Sequence, residues 1–189
     1  DYLYAGPLFT HQMSHIWCDF RGIRDAFMRD HDADYFENSR RATLVQQQYA
    51  IRNPLGFKHV GETCWGITAS DGPGNHVKEI DGVQRIFYDY VARAAPYGPD
   101  DGTIAPWAVA ASIPFAPEIV GPTIAHMKAL HVKVPNPYGF KASFNPVLAR
   151  ASLMRSAYLR SSRNFSGSAL TSGSAMSYQV SLSKIDFSR

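Results

Sequence analysis

Six carboxylates stand where they could do more than keep the surface wet. Asp34 and Glu37 lie three residues apart in "DYFENSRRAT", with Arg40 and Arg41 following at once. Glu62 sits in "GETCWG", Asp71 in "ASDGPG", and Asp100 and Asp101 in "GPDDGT". Glycine adjoins or nearly adjoins each of these last four, and Trp17, Phe57, Trp65, Tyr88, Tyr90, Tyr97 and Trp107 recur nearby in the chain. A carboxylic acid that keeps its proton can donate it to a leaving oxygen while a second carboxylate attacks or stabilises an oxocarbenium-like centre, or activates water. Aromatic faces beside such a pair can stack on sugar rings, so cleavage of a glycosidic bond is the chemistry this combination suits. Each acid also has a plainer reading. Asp-Gly-Pro and Asp-Asp-Gly are ordinary turn sequences in which Asp accepts backbone N–H groups, and Asp34 with Glu37 three residues on resembles a helix cap.

Other chemistries find less support. "GPGNH" is too short and wrongly placed for a phosphate loop, and no G-x-x-x-x-G-K-[ST] occurs. His11 and His15 are four apart, which on a helix puts both imidazoles on one face and could support a metal, but no HExxH accompanies them; a hydrogen-bonding or core role is the stronger reading. Ser70 lacks a G-x-S-x-G setting, which disfavours a serine hydrolase. Cys18 and Cys64 lie in aromatic and apolar company without C-x-x-C spacing and read as buried free thiols.

The elements that must position these groups are expected to be mainly helical. Phe9, Met13, Ile16 and Phe20 recur at helical spacing, then Ile23, Phe27 and Met28, predicting one helix before residue 34. A second should start near Asp34 and stop at Asn53, because Pro54 disfavours helix in the residue before it. The Gly- and Pro-rich stretch 54–102 reads as ordered loops lining a site, since it keeps aromatic residues that disordered segments lack. "TIAPWAVAASIPF", Thr103 to Phe115, predicts a buried inner helix, and "PEIVGPTIAHMKAL", Pro117 to Leu130, an amphipathic outer one.

The 189 residues carry a formal net charge of +3, unevenly spread. Residues 1–149 hold 13 Lys and Arg against 15 Asp and Glu, whereas residues 150–189 hold six against one, so the body lacks the basic footprint of a nucleic-acid binder. No run approaches the ~18 apolar residues of a membrane span. The chain opens at Asp1 without an initiator Met or an apolar leader, so a targeting peptide is expected to be removed already or to lie outside this sequence. Twelve of the 38 residues from Ser152 to Arg189 are Ser, which marks 150–189 as a weakly structured extension in which only "YQVSLSKIDF" hints at a strand.

The motifs "PLFTHQMSHIWCDFRGIRD", "DYFENSRRAT", "NPLGFKHVGETCWGITASDGPG", "APYGPDDGTIAPWAVAASIPFAPE" and "YGFKASFNP", running from about Tyr2 to Pro146, resemble in order those of the bacterial glucoamylase-like family, whose characterised members act on β-1,2-glucans. The same domain type resembles a part of cyclic β-1,2-glucan synthases. The resemblance implies an all-α fold, an (α/α)6 toroid with the cleft at one end. Six helical hairpins need well over ~300 residues, so 1–149 is expected to hold an incomplete ring. It implies a glycoside hydrolase using neither metal nor organic cofactor, monomeric, with an oligo- or polysaccharide substrate and a periplasmic or secreted location; a non-catalytic glucan-binding module and a transglycosylase are the alternatives. Carried over residue by residue, the acidic positions are Asp34, Glu37, Glu62, Asp71 and Asp101. Glu62, between Gly61 and the Cys64-Trp65 pair, is expected to be partly desolvated and to serve as general acid. Asp34 or Glu37 would be the base, kept ionised by Arg40 and Arg41, with Asp101 a further catalytic candidate. Trp65, Asp71, Trp17, His11, Gln12 and Arg40 are the expected substrate-binding residues.

Overall fold

The computed structural model describes residues 3–130 and 139–148, so the extension 150–189 and its strand hint lie outside the described residues. Two short 3-10 turns, Leu8–His11 and Met13–Ile16, open the chain. Then come α1 (Ala26–Asp30), α2 (Tyr35–Arg52), β1 (Ala69–Ser70), β2 (His76–Ile80), β3 (Val83–Phe87), β4 (Val91–Ala92), α3 (Pro106–Ala110) and α4 (Pro117–Ala129). The strands form two antiparallel two-stranded sheets, β1 with β4 and β2 with β3. This corrects the expectation of an all-α toroid. Four helices, two of them only five residues long, share the described residues with two small sheets and long loops.

The helix ends expected from sequence are present in α2. Asp34 is extended (φ −145°, ψ 136°) and its carboxylate accepts the Glu37 N–H at 2.9 Å, satisfying one of the donors that a helix start leaves without a partner. At the other end Asn53 turns left-handed (φ 42°), a conformation Asn tolerates, and Pro54 follows. The Asn53 amide also donates to the Phe57 carbonyl and accepts the Phe57 N–H, both at 2.8 Å, so the cap shapes the next loop. α4 likewise matches its expected span, with Pro117 at the helix start.

Three elements depart from expectation. The stripe through Phe9, Met13 and Ile16 does not become a helix face. Leu8 and Phe9 give their N–H groups to the Ile67 carbonyl and the Thr68 hydroxyl, the chain turns at Gln12, and Met13 and Ile16 end up exposed. The inner helix is shortened to Pro106–Ala110 because its predicted start is taken by other partners. Thr103 donates to the Asp101 carboxylate, Ile104 exchanges two backbone hydrogen bonds with Phe144, and Ala105 donates to Gly66. Within the expected loop, "HVKEIDGVQRIF" forms a hairpin whose two turn residues, Asp81 and Gly82, both have positive φ (53° and 77°). That is the geometry Asp-Gly favours, because its twist matches the flanking strands.

The core lies where α3 and α4 meet the Cys64–Ile67 segment, with Trp65, Ile67, Ile104, Val109, Val120 and Met127 fully buried. α2 contributes a different kind of surface. Its buried positions include Asn38, Ser39, Thr43, Gln46 and Gln47, and these serve the loops. Gln46 accepts the Ile67 N–H at 3.0 Å and donates to the Gly6 carbonyl at 2.9 Å, while Asn38 accepts the Leu3 N–H at 2.8 Å.

One buried ion pair anchors the remaining loops. Arg93 grips Asp101 through Nε and Nη2, both at 2.8 Å, with neither side chain exposed. Its other donors reach the carbonyls of Ser70, Tyr88 and Asp89. Asp101 in turn accepts the N–H groups of Tyr88 and Thr103. Gly72 is required beside this pair, because a Cβ there would overlap the Arg93 guanidinium and the Tyr88 carbonyl. Burial opposes the charge on Asp101, but the hydrogen bonds from Arg93 and Thr103 outweigh it and hold the carboxyl below its ordinary value of 3.8. A depressed folded-state value means that this stabilisation is complete above the unfolded value, ~3.9, and is lost as pH falls through the folded one. Arg93→Met should leave a buried unpaired carboxylate and cost ~3–5 kcal/mol. Asp101→Asn should be destabilised at neutral pH yet lose less on acidification below about pH 4 than the parent, as read by thermal melts across pH.

Candidate active site

The N-terminal end of α2 gathers the largest share of the expected site. Glu37 projects from its first turn, half exposed, and pairs with Arg41 at 2.7 Å. Arg40 reaches instead to Glu118 on α4 at 2.9 Å, so the two arginines expected to act together serve different partners. Asp34 caps this helix and Glu37 lies in its first turn, so both carboxylates belong to the same helix start. His15 closes this end. Its Nε2 lies 2.9 Å from the Ser39 hydroxyl, and Phe20, Phe36 and Phe115 present ring edges at centroid distances of 4.9, 6.1 and 4.7 Å. Burial lowers the His15 pKa, and the charges of Asp19 and Asp34 pull it partly back.

Gln12 links this end to α3. Its amide nitrogen donates to the Ala108 carbonyl and meets the Ser112 hydroxyl, each at 2.8 Å, and its buried Oε1 has no protein partner. His11 accepts the Ala5 N–H at 2.9 Å and stacks on Tyr4, and burial lowers its pKa. The two histidines therefore occupy separate turns with separate partners. Among the described residues no cluster of three His, Cys, Asp or Glu side chains could hold a metal ion. Trp17, 89% exposed, is available to stack on a ligand.

The other expected residues lie elsewhere. Glu62 is at the tip of a tight turn closed by the mutual backbone bonds of Gly61 and Cys64. It points to solvent, while Cys64 and Trp65 turn inwards, so the desolvated setting expected for it is not formed. Its carbonyl accepts from Gln47 at 3.0 Å. Positions 37 and 47 are about 15 Å apart along the helix axis, so the Glu62 turn sits at a different level of α2 from Glu37. Trp65 is 0% exposed, with its indole N–H donated to Thr123 at 2.8 Å. A residue with no accessible surface cannot stack on a sugar, which corrects its assignment to substrate binding. Asp101 is equally enclosed, both oxygens committed to Arg93 and backbone N–H groups, and it acts here as an anchor. Asp71 is exposed at the end of β1, its carbonyl bonded to Ser143.

The sequence counts Asp100 among the candidate acids without assigning it a task, and it does not single out Ser39. Asp100 accepts the Tyr49 hydroxyl and the Gly102 N–H, each at 2.9 Å, and burial raises its pKa. Ser39 could have been found from its place one helical turn beyond Tyr35, on the face that Asn38 and Thr43 also bury. Both cysteines are free, and burial pushes the Cys64 thiol up to about 12.

With this geometry in hand, the comparisons with known proteins can be placed. The glycoamylase family, described as "Putative glucoamylase", matches residues 1–163, and the chain belongs to it. An exo-β-1,2-glucooligosaccharide sophorohydrolase (non-reducing end) of Parabacteroides distasonis is 32% identical over 148 residues, covering 75% of this chain and 17% of that protein. A solved glucoamylase-family structure from Bacteroides caccae is 33% identical, with a TM-score of 0.61, over 77% of this chain and 31% of its own. An endo-β-1,2-glucanase from Chitinophaga pinensis, solved with sophorotriose and glucose, is 27% identical, with a TM-score of 0.60, over 82% of this chain and 37% of its own. The chain thus spans under a fifth of the curated relative and about a third of these two structures.

The opposite placements of two tryptophans make a paired test. Trp65→Phe removes the indole N–H that Thr123 accepts and leaves a small void, while Thr123 keeps its bond to the Ile119 carbonyl, and should lower stability by about 1–3 kcal/mol in chemical denaturation. Trp17→Ala should leave the melt within about 0.5 kcal/mol, since so exposed a residue has little packing to lose.

Proposed function

We propose that this chain contributes the carboxylate end of a site that hydrolyses β-1,2-linked glucans, with Glu37 and Asp34 as the working acids. The observation that carries this is the partly exposed carboxylate pair at the start of α2, where Arg41 pairs with Glu37 and His15 packs on Phe36 and Ser39. Membership in the glycoamylase family supports it, because two of the relatives carry names of β-1,2-glucan hydrolases. Asp34 gives one oxygen to the Glu37 N–H, which fixes the orientation of its carboxylate at the helix start. Glu37 leans on Arg41 and keeps an open side. In such a pair one carboxyl donates to the glycosidic oxygen and the other supports the developing positive charge at the anomeric carbon or deprotonates water. No protein-bound metal or organic cofactor enters this scheme. The substrate is a β-1,2-glucooligosaccharide or polysaccharide, and the monomer and an extracytoplasmic location belong to the same proposal.

Linear β-1,2-glucan incubated with the protein should yield new reducing ends. Glu37→Gln should reduce their rate ~10²–10⁴-fold, the usual worth of a positioned proton-transfer group, without shifting the melting temperature by more than a few degrees. A variant that turns over normally while Glu62→Gln is inactive would move the proton donor to the Gly61–Cys64 turn.

A further inference from the structure

We propose that His15 is a sugar-hydroxyl acceptor at this site, its imidazole fixed as the Nε2–H tautomer by Ser39 so that Nδ1 presents a free lone pair at the end of α2 that Asp34 caps. This rests on the glucan reading above and names a residue that recognises the ligand.

The tautomer follows from counting protons. The Ser39 hydroxyl has one proton, and its oxygen lies 3.1 Å from the Tyr35 carbonyl, which can only accept. Serine in a helix commonly donates back to the carbonyl four residues earlier in this way. With that proton committed, the 2.9 Å contact between Ser39 Oγ and His15 Nε2 needs a proton on the imidazole, so Nε2 donates and Nδ1 is the bare nitrogen. A half-turn of the ring about Cβ–Cγ would put Cε1 in place of Nε2 against the Ser39 oxygen and lose this hydrogen bond, while Phe20, Phe36 and Phe115 pack around the ring.

The imidazole is held neutral by the same surroundings. The charged and titratable groups near it are Asp19, itself bonded to Arg21, on the segment after the second 3-10 turn, Asp34 at the start of α2, and His11 on the first turn. Arg21 lies over the far neighbour Phe36, and Phe115 brings no charge of its own. The two carboxylates favour the protonated ring, yet burial outweighs them and holds the pKa below its ordinary 6.5. A neutral Nδ1 on a ring packed against Phe36 and Ser39 leaves an acceptor at the same end of α2 as the Asp34 carboxylate. A glucosyl unit supplies hydroxyl donors around its ring, and the apolar cage about the imidazole makes an unmatched acceptor costly there. A site built this way reads the presence of a hydroxyl, and a protonated His15 would turn its acceptor into a donor and lose the match.

Imidazole 15N chemical shifts of the protein, recorded without sugar above pH 7, should show His15 as Nε2–H. An Nδ1–H ring overturns the proposal directly, and Ser39→Ala should blur the preference without unfolding the chain. On titration with sophorotriose the His15 Nδ1 resonance should move, and binding should weaken as pH falls through the His15 pKa. His15→Phe, which fills the cage but removes the acceptor, should raise KM or Kd for sophorotriose about tenfold and change kcat less. Unchanged affinity in a folded His15→Phe overturns the proposal while leaving the glucan reading intact. A wild-type protein with the expected tautomer but no response to sophorotriose overturns the glucan reading and this assignment with it.

Discussion

The fold depends on the Arg93–Asp101 pair. A chain with two-residue strands and long Gly-rich connections buries many backbone carbonyls and N–H groups that no regular ladder can satisfy, and each left unpaired costs ~1–3 kcal/mol. Arg93 answers this with a planar fork that grips a carboxylate and still reaches three carbonyls, at Ser70, Tyr88 and Asp89. Lysine could not do so, since it offers a compact point charge in place of five fixed donors. Asp101 extends the network to Thr103, and Asn145 closes it by donating to the Asp101 carbonyl and the Thr103 hydroxyl at 2.9 and 3.1 Å. The short β1–β4 pairing, the base of the hairpin and the entry to α3 are all fastened at this one place.

α2 applies the same principle to the other side of the molecule. Its buried face is polar because it packs against irregular backbone, where an amide that can both donate and accept is worth more than a methyl group. Gln46 and Asn38 hold the N-terminal segment, and Ser39 holds His15. The candidate carboxylates thus sit on a rigid helix whose neighbours are tied to it by hydrogen bonds, the arrangement that keeps reacting groups within tight tolerances.

Much of this was legible in the sequence where local chemistry decides. Asp34 before an apolar-poor run and Asn53 before Pro54 marked both ends of α2, and Pro117 marked the start of α4. The Asp81-Gly82 signal for a hairpin was also local, although "HVKEIDGVQRIF" alternates too weakly to stand out, with Val77, Val83 and Ile86 left exposed. What could not be read was set by distant partners. Nothing near Trp65 in the chain says that Thr123 will take its indole N–H, and nothing near Asp101 says that Arg93 will enclose it, so a tryptophan and an acid of the expected site became interior parts. The toroid expectation failed for a related reason: it extended a resemblance to whole proteins over a chain in which strands and loops fill the space between helices.

The pairing of early residues with late ones bears on the order in which the molecule can be made. Tyr4 bonds to the carbonyl of Ala95, Gln12 to Ala108 and Ser112, and Ala95 donates back to Gly6. A ribosome delivers the N-terminal segment first, at roughly 5–20 residues per second, yet its partners arrive some ninety to one hundred residues later. The β2–β3 hairpin, closed by a two-residue turn, can form on its own timescale of ~1–10 μs as soon as it emerges. The segment that carries Gln12 and His15 can meet α2 first, through Asn38, Ser39 and Gln46, but the bonds of Gln12 and the packing of His15 on Phe115 wait until the residues of α3 and beyond have been synthesised. Nascent chains of this protein therefore spend several seconds with this end incomplete, the interval in which a chaperone has most to offer them.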